Sequence, residues 1–380
     1  MPDRPQTPPL WIDTSAALES AFQRIQPEPR IAVDTESNSL FAYQEEVCLI
    51  QISTPVQDFL FDPFVLKDLS LLGALFNNPA QEKIFHASEY DLICLKRDFK
   101  FEFTNIFDTM IAARILGETQ VGLGSLLLNK FEIILDKKYQ RANWGLRPLP
   151  PEMLDYARLD THYLFQLRDE LEKQLIDKQL LDLAREDFIL ACAAEAHNHD
   201  NHQAGFLKPG TSNHADPLKT AIIYELCFYR DEQAKKANLP HFKVLSNDIL
   251  YELADQKPKT LEELSAIHGC TEKVVKRHGP SLLKAIVKAE STPPPVRHRM
   301  PKPDDAFLAR LDKLKEWRKA TAKELKVESD VVLPRELMES IASGNPSTRG
   351  ELRKLMTRIP YRFTNYGQPI LKAIRNKETK

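Results

Sequence analysis

The C-terminal half of the chain repeats itself. From Leu218 the order is LKTAIIYELCFYRDEQAKKANLP, NDILYELADQKP, LEELSAIHG and HGPSLLKAIVKA; from Phe307 it is FLARLDKLKEWRKATAKELKV, PRELMESIASGNP, RGELRKLM and NYGQPILKAIRN. In each copy a long amphipathic helix carries an aromatic-Arg pair, Tyr229-Arg230 or Trp317-Arg318, and the copy closes on Gly, Pro and an Ile-Leu-Lys-type helix. A matching order of helical elements predicts a duplicated all-helical module. Two breaks isolate it. Residues 197–217, HNHDNHQAGFLKPGTSNHADP, are polar and lack apolar periodicity, so they read as a linker, and the proline run in residues 291–303, STPPPVRHRMPKP, reads as a stiff spacer. The expected division is residues 1–205, a linker at 206–212, a first helical module at 213–292, a Pro-rich linker at 293–303 and a second helical module at 304–380. These lengths are typical of domains.

Composition removes several classes of function. Of 380 residues, 42% are hydrophobic and 28% charged, as in folded soluble chains. Only 12 are Gly, and no GxSxG, HExxH or P-loop lysine motif occurs, so those hydrolase and nucleotide-binding classes have no support. Cys48, Cys94, Cys192, Cys227 and Cys270 are scattered and form no CxxC pair, which predicts reduced thiols rather than a disulfide framework or a structural zinc. His197, His199, His202 and His214 form a His-rich tract whose polar setting, without Cys, reads as solvated side chains. The N-terminus lacks an apolar core of signal-peptide length, and no apolar run reaches the 18 or so residues of a membrane span. A soluble, cytoplasmic protein is the expectation, with no membrane contact and no obligate protein partner.

The region before the linker mixes strands and helices. RIAVDTES, VCLIQIST, DFLFD and KIFH read as strands, SEYDLICLKRDF as a helix with Ser88 as its N-cap, and PEMLDYARLDTHYLFQLRDELEKQL as one long helical pattern. Acidic residues stand at three places in it. Asp34 and Glu36 follow the apolar Ile31, Ala32 and Val33 and, two apart on a strand, face one side. Asp91 opens the helix after Ile84 and Phe85, and Tyr156 and Asp160 lie four apart on one helical face. Each has an ordinary reading as well: a solvated strand end, a carboxylate complementing a helix dipole, a Tyr beside a surface Asp. Together they meet a chemical need. Carboxylates cannot all ionise side by side without cations, and hard oxygen ligands suit Mg²⁺ or Mn²⁺. Two such ions, about 3.5–4 Å apart, stabilise the attacking and leaving oxygens of a phosphodiester displacement.

The motifs VDTE, HASEYDL and YARLD resemble, in order and spacing, the three exonuclease motifs of the DEDD superfamily, in its Tyr-bearing branch. LIQIS, FDTMIAARILG and DKKYQRANWGLRPLP extend the likeness to the ribonuclease D family, and the helical repeats are similar to the HRDC domains that follow its nuclease domain. The resemblance implies an α/β ribonuclease H-like exonuclease domain, a mixed sheet flanked by helices, followed by two all-α HRDC helical-bundle domains. It implies a two-ion site held by Asp34, Glu36, Asp91 and Asp160, with Tyr156 positioning the attacking water. The reaction implied is removal of 5′-mononucleotides from RNA 3′ ends, with tRNA precursors bearing 3′ tails as substrates. His86, Trp144 and Arg147 fall in motifs typical of the family and are its substrate-side candidates; the alternatives are loop anchoring for Trp144 and a surface ion pair for Arg147. Ser37 stands where relatives commonly carry Phe, which removes one aromatic from the expected terminal-base contact. A proofreading-type DNA exonuclease and an inactive RNA-binding scaffold remain open beside this reading.

Charge sharpens the division. The net charge is -2, but residues 1–200 hold 19 Lys+Arg against 32 Asp+Glu, while residues 201–380 hold 33 against 22. An acidic half carries the candidate metal ligands, and a basic half, including KLKEWRK and KAIRNKETK, is expected to contact phosphates. Deleting residues 206–380 should then lower RNA affinity and its salt dependence.

Overall fold

The computed structural model describes residue 5 and residues 7–194, 216–291 and 304–375. The His-rich tract, both expected linkers and the last five residues lie outside these. The N-terminal region follows the order β1 (Leu10–Ile12), α1 (Ser15–Ile25), β2 (Arg30–Ser37), β3 (Val47–Ser53), β4 (Asp58–Phe61), α2 (Ser70–Phe76), β5 (Glu82–Phe85), α3 (Glu89–Phe99), β6 (Ile106–Asp108), α4 (Thr109–Ile115), α5 (Leu123–Phe131), α6 (Pro151–Ala157), α7 (Leu159–His162), α8 (Leu164–Asp177) and α9 (Leu181–Ala193). The six strands form one sheet in the order β1-β4-β3-β2-β5-β6. It is mixed: β3 and β4 are antiparallel, whereas β1 pairs with β4, β2 with β5 and β5 with β6 in parallel. The fold expected from the sequence, a mixed sheet flanked by helices and followed by helical modules, is the fold observed.

Burial follows from strand alternation. Phe59 and Phe61 of β4 enter the main core with Ile31, Val33, Ile84 and Leu167, while Leu60 between them joins a second cluster with Leu49, Trp144 and Met153. Two local expectations change. The long helical pattern after Pro150 is interrupted at Arg158 and again at Tyr163, giving α6, α7 and α8. Ser88 does occupy the position before α3, but its hydroxyl makes no cap bond; its backbone N–H donates to Asp108 instead, at 2.6 Å.

The helical region continues with α10 (Pro217–Ala237), α11 (His241–Val244), α12 (Asn247–Gln256), α13 (Leu261–Ser265), α14 (Glu272–Ser291), α15 (Asp305–Leu325), α16 (Ser329–Val332), α17 (Arg335–Gly344), α18 (Arg349–Leu355) and α19 (Pro360–Arg375). The repeat seen in the sequence recurs in its hydrogen bonds. Arg230 donates to the Leu245 carbonyl and Arg318 to the Leu333 carbonyl, each 15 residues ahead. Tyr229 meets His278, and Trp317 meets Tyr366, edge-on at 5.9 Å. Thr260 caps α13 and Thr348 caps α18, each by accepting the N–H of a Glu three residues on. Those glutamates, Glu263 and Glu351, reach back to the N–H of Lys259 and Ser347.

Two compact units result, one of Met1–Glu36, Val47–Ala196 and Pro301–Lys380, the other of Ser37–Glu46 and His197–Met300. In the first, the second helical module packs directly on the sheet-bearing region. Arg362, fully buried, donates to the carboxylates of Glu186 and Asp187 on α9 and to the carbonyls of Val331 and Val332. The Tyr361 N–H also donates to Glu186, and Arg114 pairs with Asp330. In the second unit, Tyr43 donates through its hydroxyl to Asp231 and through its N–H to Asn238, and Lys243 lies over the Phe41 ring.

Candidate active site

Three of the expected carboxylates meet at the end of the sheet. β2 and β5 are parallel neighbours, with Ala32 opposite Ile84, so the acidic residues beyond Val33 and the segment beyond Phe85 emerge at the same edge. One carboxylate oxygen each from Asp34, Glu36 and Asp160 lie within 4.8 Å of one another, a group able to hold a metal ion. Asp91 stands outside that tightest group yet belongs to the same electrostatic centre. Thr35, between Asp34 and Glu36, donates its hydroxyl to Asp91, and among neighbouring charges Asp91 contributes most to the rise in the Asp34 pKa.

Removal from water is the first cause of every shift here. Burial, then repulsion from Asp91, Asp160 and Glu36, raises Asp34 well above the usual carboxylate range. Glu36 rises for the same reasons, through burial and then Asp160 and Asp91. Asp91 and Asp160, mainly by burial, reach about 7. The donor set is all carboxylate and crowded, which fits hard divalent cations. Tyr156 is half-buried, and burial followed by Asp160, Glu36 and Asp34 pushes its hydroxyl pKa up, so it remains a neutral hydrogen-bonding group.

Residues 9–176 match the family described as 3′-5′ exonuclease, and residues 219–286 and 307–374 each match the HRDC domain. The chain carries a DEDD-superfamily 3′-5′ exonuclease domain joined to HRDC domains. It is 31% identical over 296 residues to the exosome complex exonuclease RRP6 of Saccharomyces cerevisiae, covering 74% of this chain and 40% of that protein. The catalytic core of RRP6 from Trypanosoma brucei has a TM-score of 0.62 at 28% identity, over 75% of this chain and 80% of that one. Escherichia coli RNase D, an exoribonuclease involved in structured RNA processing, shares the fold with a TM-score of 0.62 at 22% identity, over 98% and 100% of the two chains. The chain spans well under half the length of the curated relatives it matches.

Within the exonuclease domain, the other site candidates have internal partners. All five guanidinium N–H groups of Arg147 are used: two on Asp62, and one each on the carbonyls of Trp144, Leu146 and Cys48. None remains for a phosphate: Arg147 is held in an ion pair, with the buried Asp62 rather than with a surface carboxylate, and by the loop carbonyls. Trp144 is 1% exposed, packed in the second apolar cluster with its ring 6.1 Å from that of Tyr156. His86 lies 2.9 Å from the Thr109 hydroxyl. That hydroxyl also lies 3.0 Å from the Phe85 carbonyl, to which it can donate. Burial holds His86 below its usual pKa, against the pull of Asp108.

Two supporting residues escaped the sequence reading. Thr35 is one. The other is Asp108, whose carboxylate caps α4 through the N–H groups of Met110 and Ile111 and also accepts those of Ala87 and Ser88. Ala87 sits at φ 62, a conformation costly for a residue with a Cβ. Asp108 thus holds the turn that delivers Asp91. The Asp-Thr pair before an apolar helical run was the available signal, an N-cap signature.

The raised pKa values set a pH dependence for the metal-free protein. Asp91 and Asp160 move from an ordinary 3.8 to about 7, so the folded state binds their protons more tightly than the unfolded state. Their stabilising contribution is complete below pH 3.8 and is lost as pH rises through 7. With EDTA present, the melting temperature should carry a component that falls across this interval, and Mn²⁺ should flatten it. An unchanged slope with Mn²⁺ would count against cation binding at these carboxylates.

Among the described residues no helix is long and apolar enough to cross a membrane.

Proposed function

We propose that the chain is a metal-dependent 3′-5′ exoribonuclease that releases 5′-mononucleotides from RNA 3′ ends, with tRNA precursors bearing 3′ tails among its substrates. The meeting of Asp34, Glu36 and Asp160 within 4.8 Å, with Asp91 bonded through Thr35, is the observation that carries this reading. The four carboxylates would hold Mg²⁺ or Mn²⁺, which supply Lewis-acid stabilisation of phosphate oxygens. Tyr156, neutral and adjacent to this centre, orients the attacking water by hydrogen bonding rather than by taking its proton. RNA as substrate is supported by the ribonuclease D-like motif order and by the paired HRDC domains. Their basic side chains are the proposed phosphate contacts, which would make binding salt-dependent.

A 5′-labelled single-stranded RNA and a matched DNA, each with and without EDTA, test the reading. Single-nucleotide laddering of the RNA from its 3′ end, only with a divalent cation, is the expected result. Preferential laddering of DNA would assign a DNA exonuclease instead, and binding without turnover would assign a scaffold. Tyr156→Phe, which removes only the hydroxyl, should lower kcat by about 10²-fold with little change in KM.

A further inference from the structure

The segment bearing Tyr156 and Asp160 is fastened from behind by residues that no part of the reaction uses. Arg158 lies two positions from each, and residues two apart on a helix point to different sides. While Tyr156 and Asp160 belong to the site, the Arg158 guanidinium turns into the protein, where it is 4% exposed. There its Nε donates to Asp58 at 2.8 Å and its Nη1 to the Thr7 carbonyl at 2.6 Å. Asp58, 1% exposed, opens β4 and stands opposite Ser53, the last residue of β3. Ser53 donates to Asp58 at 2.6 Å and lies 2.7 Å from the hydroxyl of Thr161, the residue after Asp160. His162 closes the set, with Nδ1 3.2 Å from Asp58. The end of the β3–β4 hairpin therefore grips three of the six residues from Ala157 to His162, at the place where α6 stops and α7 begins.

We infer that Asp58 and Arg158 are positioning residues of the nuclease centre, fixing the depth and rotation of the joint that presents Tyr156 and Asp160. This rests on the proposed metal-dependent reaction at that centre. A buried charged pair joined by hydroxyl bonds is stiff, and groups that orient metal ligands or a water-holding hydroxyl control both ion affinity and turnover. A displacement of about 1 Å at such a site lowers rate by about 10²-fold.

The test measures Mn²⁺ affinity by titration calorimetry without RNA, kcat and KM on single-stranded RNA, and thermal midpoint. The proteins are wild type, Asp58→Asn, Arg158→Met, Arg158→Lys, Thr161→Val and, as a control for plain loss of a buried pair, Arg362→Met. Asp58→Asn and Arg158→Met should weaken Mn²⁺ binding and lower kcat by about 10- to 100-fold while KM moves little, and Arg158→Lys should recover part of both. Thr161→Val, which keeps the ion pair, should show the same pattern at smaller size; it decides the matter if Asp58→Asn does not fold. Arg362→Met should lower the thermal midpoint without changing Mn²⁺ affinity or kcat per folded molecule. Wild-type Mn²⁺ affinity and kcat in folded Asp58→Asn and Thr161→Val would overturn the inference. So would losses in every variant, Arg362→Met included, that follow the thermal midpoint alone. If wild type binds Mn²⁺ but degrades no RNA, the exoribonuclease reading falls, and the Mn²⁺ affinities of the variants still decide whether Asp58 and Arg158 position the ligand.

Discussion

Asp34→Asn is expected to abolish hydrolysis and to raise the melting temperature of the metal-free protein. Both effects come from one charge. Asp34 is raised well above the usual carboxylate range by burial and by Asp91, Asp160 and Glu36, so as an anion it opposes the fold unless a cation sits beside it. Asn keeps the shape and removes the repulsion, so the empty site relaxes. The same change removes a ligand from a centre where bound cations contribute several kcal/mol to the transition state, which at 1.36 kcal/mol per tenfold corresponds to about 10³-fold or more in rate. A side chain of purely structural importance would give the reverse pairing, with stability lost and rate per folded molecule retained. Activity and melting temperature, measured together with and without Mn²⁺, separate the two.

Arg362→Met should cost about 3–5 kcal/mol of stability, because removing one partner of a buried ion pair leaves the other charge without compensation. Arg362 is fully buried and is held by Glu186, Asp187 and two backbone carbonyls. Burial pushes the Glu186 and Asp187 carboxyls up and Arg362 pulls them back, so in the variant both should rise further. A chemical denaturation series at pH 8 and pH 5 reads this directly: the deficit should shrink at the lower pH, where protonated carboxyls no longer need the guanidinium. An equal deficit at both would assign the loss to packing alone. This pair also alters one expectation drawn from charge. Deleting residues 206–380 strips Arg362 from Glu186 and Asp187, so a change in RNA affinity after that deletion would mix lost stability with lost phosphate contacts. Neutralising exposed lysines and arginines of the helical modules in the full-length chain tests the electrostatic contribution without that confusion.

Much of this was legible in the sequence because it is written in short-range pattern. RIAVDTES carries a buried run followed by two acids at strand spacing, and β2 spans those residues, Arg30–Ser37. The duplicated helical order was equally plain, and the paired Arg230 and Arg318 bonds express it at atomic detail. What the sequence concealed depends on contacts far apart in the chain. Arg158 reads as one more charged residue on a helix until Asp58, 100 residues earlier, is seen to bind it. Arg147 looked available to a phosphate because nothing local announces that Asp62, 85 residues away, already holds it. The segment from Pro151 reads as one long helix for a similar reason: periodicity registers the apolar face but not the interruption at Arg158, a residue fastened to the β3–β4 hairpin end. The grouping of the second helical module with the exonuclease domain likewise rests on Arg362, 176 residues from Glu186.

The most direct test of a carboxylate-held metal centre is Mn²⁺ titration of the wild-type protein and of Asp34→Asn, followed by calorimetry or paramagnetic resonance without nucleic acid. Saturable Mn²⁺ binding to wild type, lost or weakened by about 10-fold or more in Asp34→Asn, is the expected result. Equal binding by the two proteins, or none by wild type, would contradict the assignment of Asp34, Glu36, Asp91 and Asp160 as the ligands.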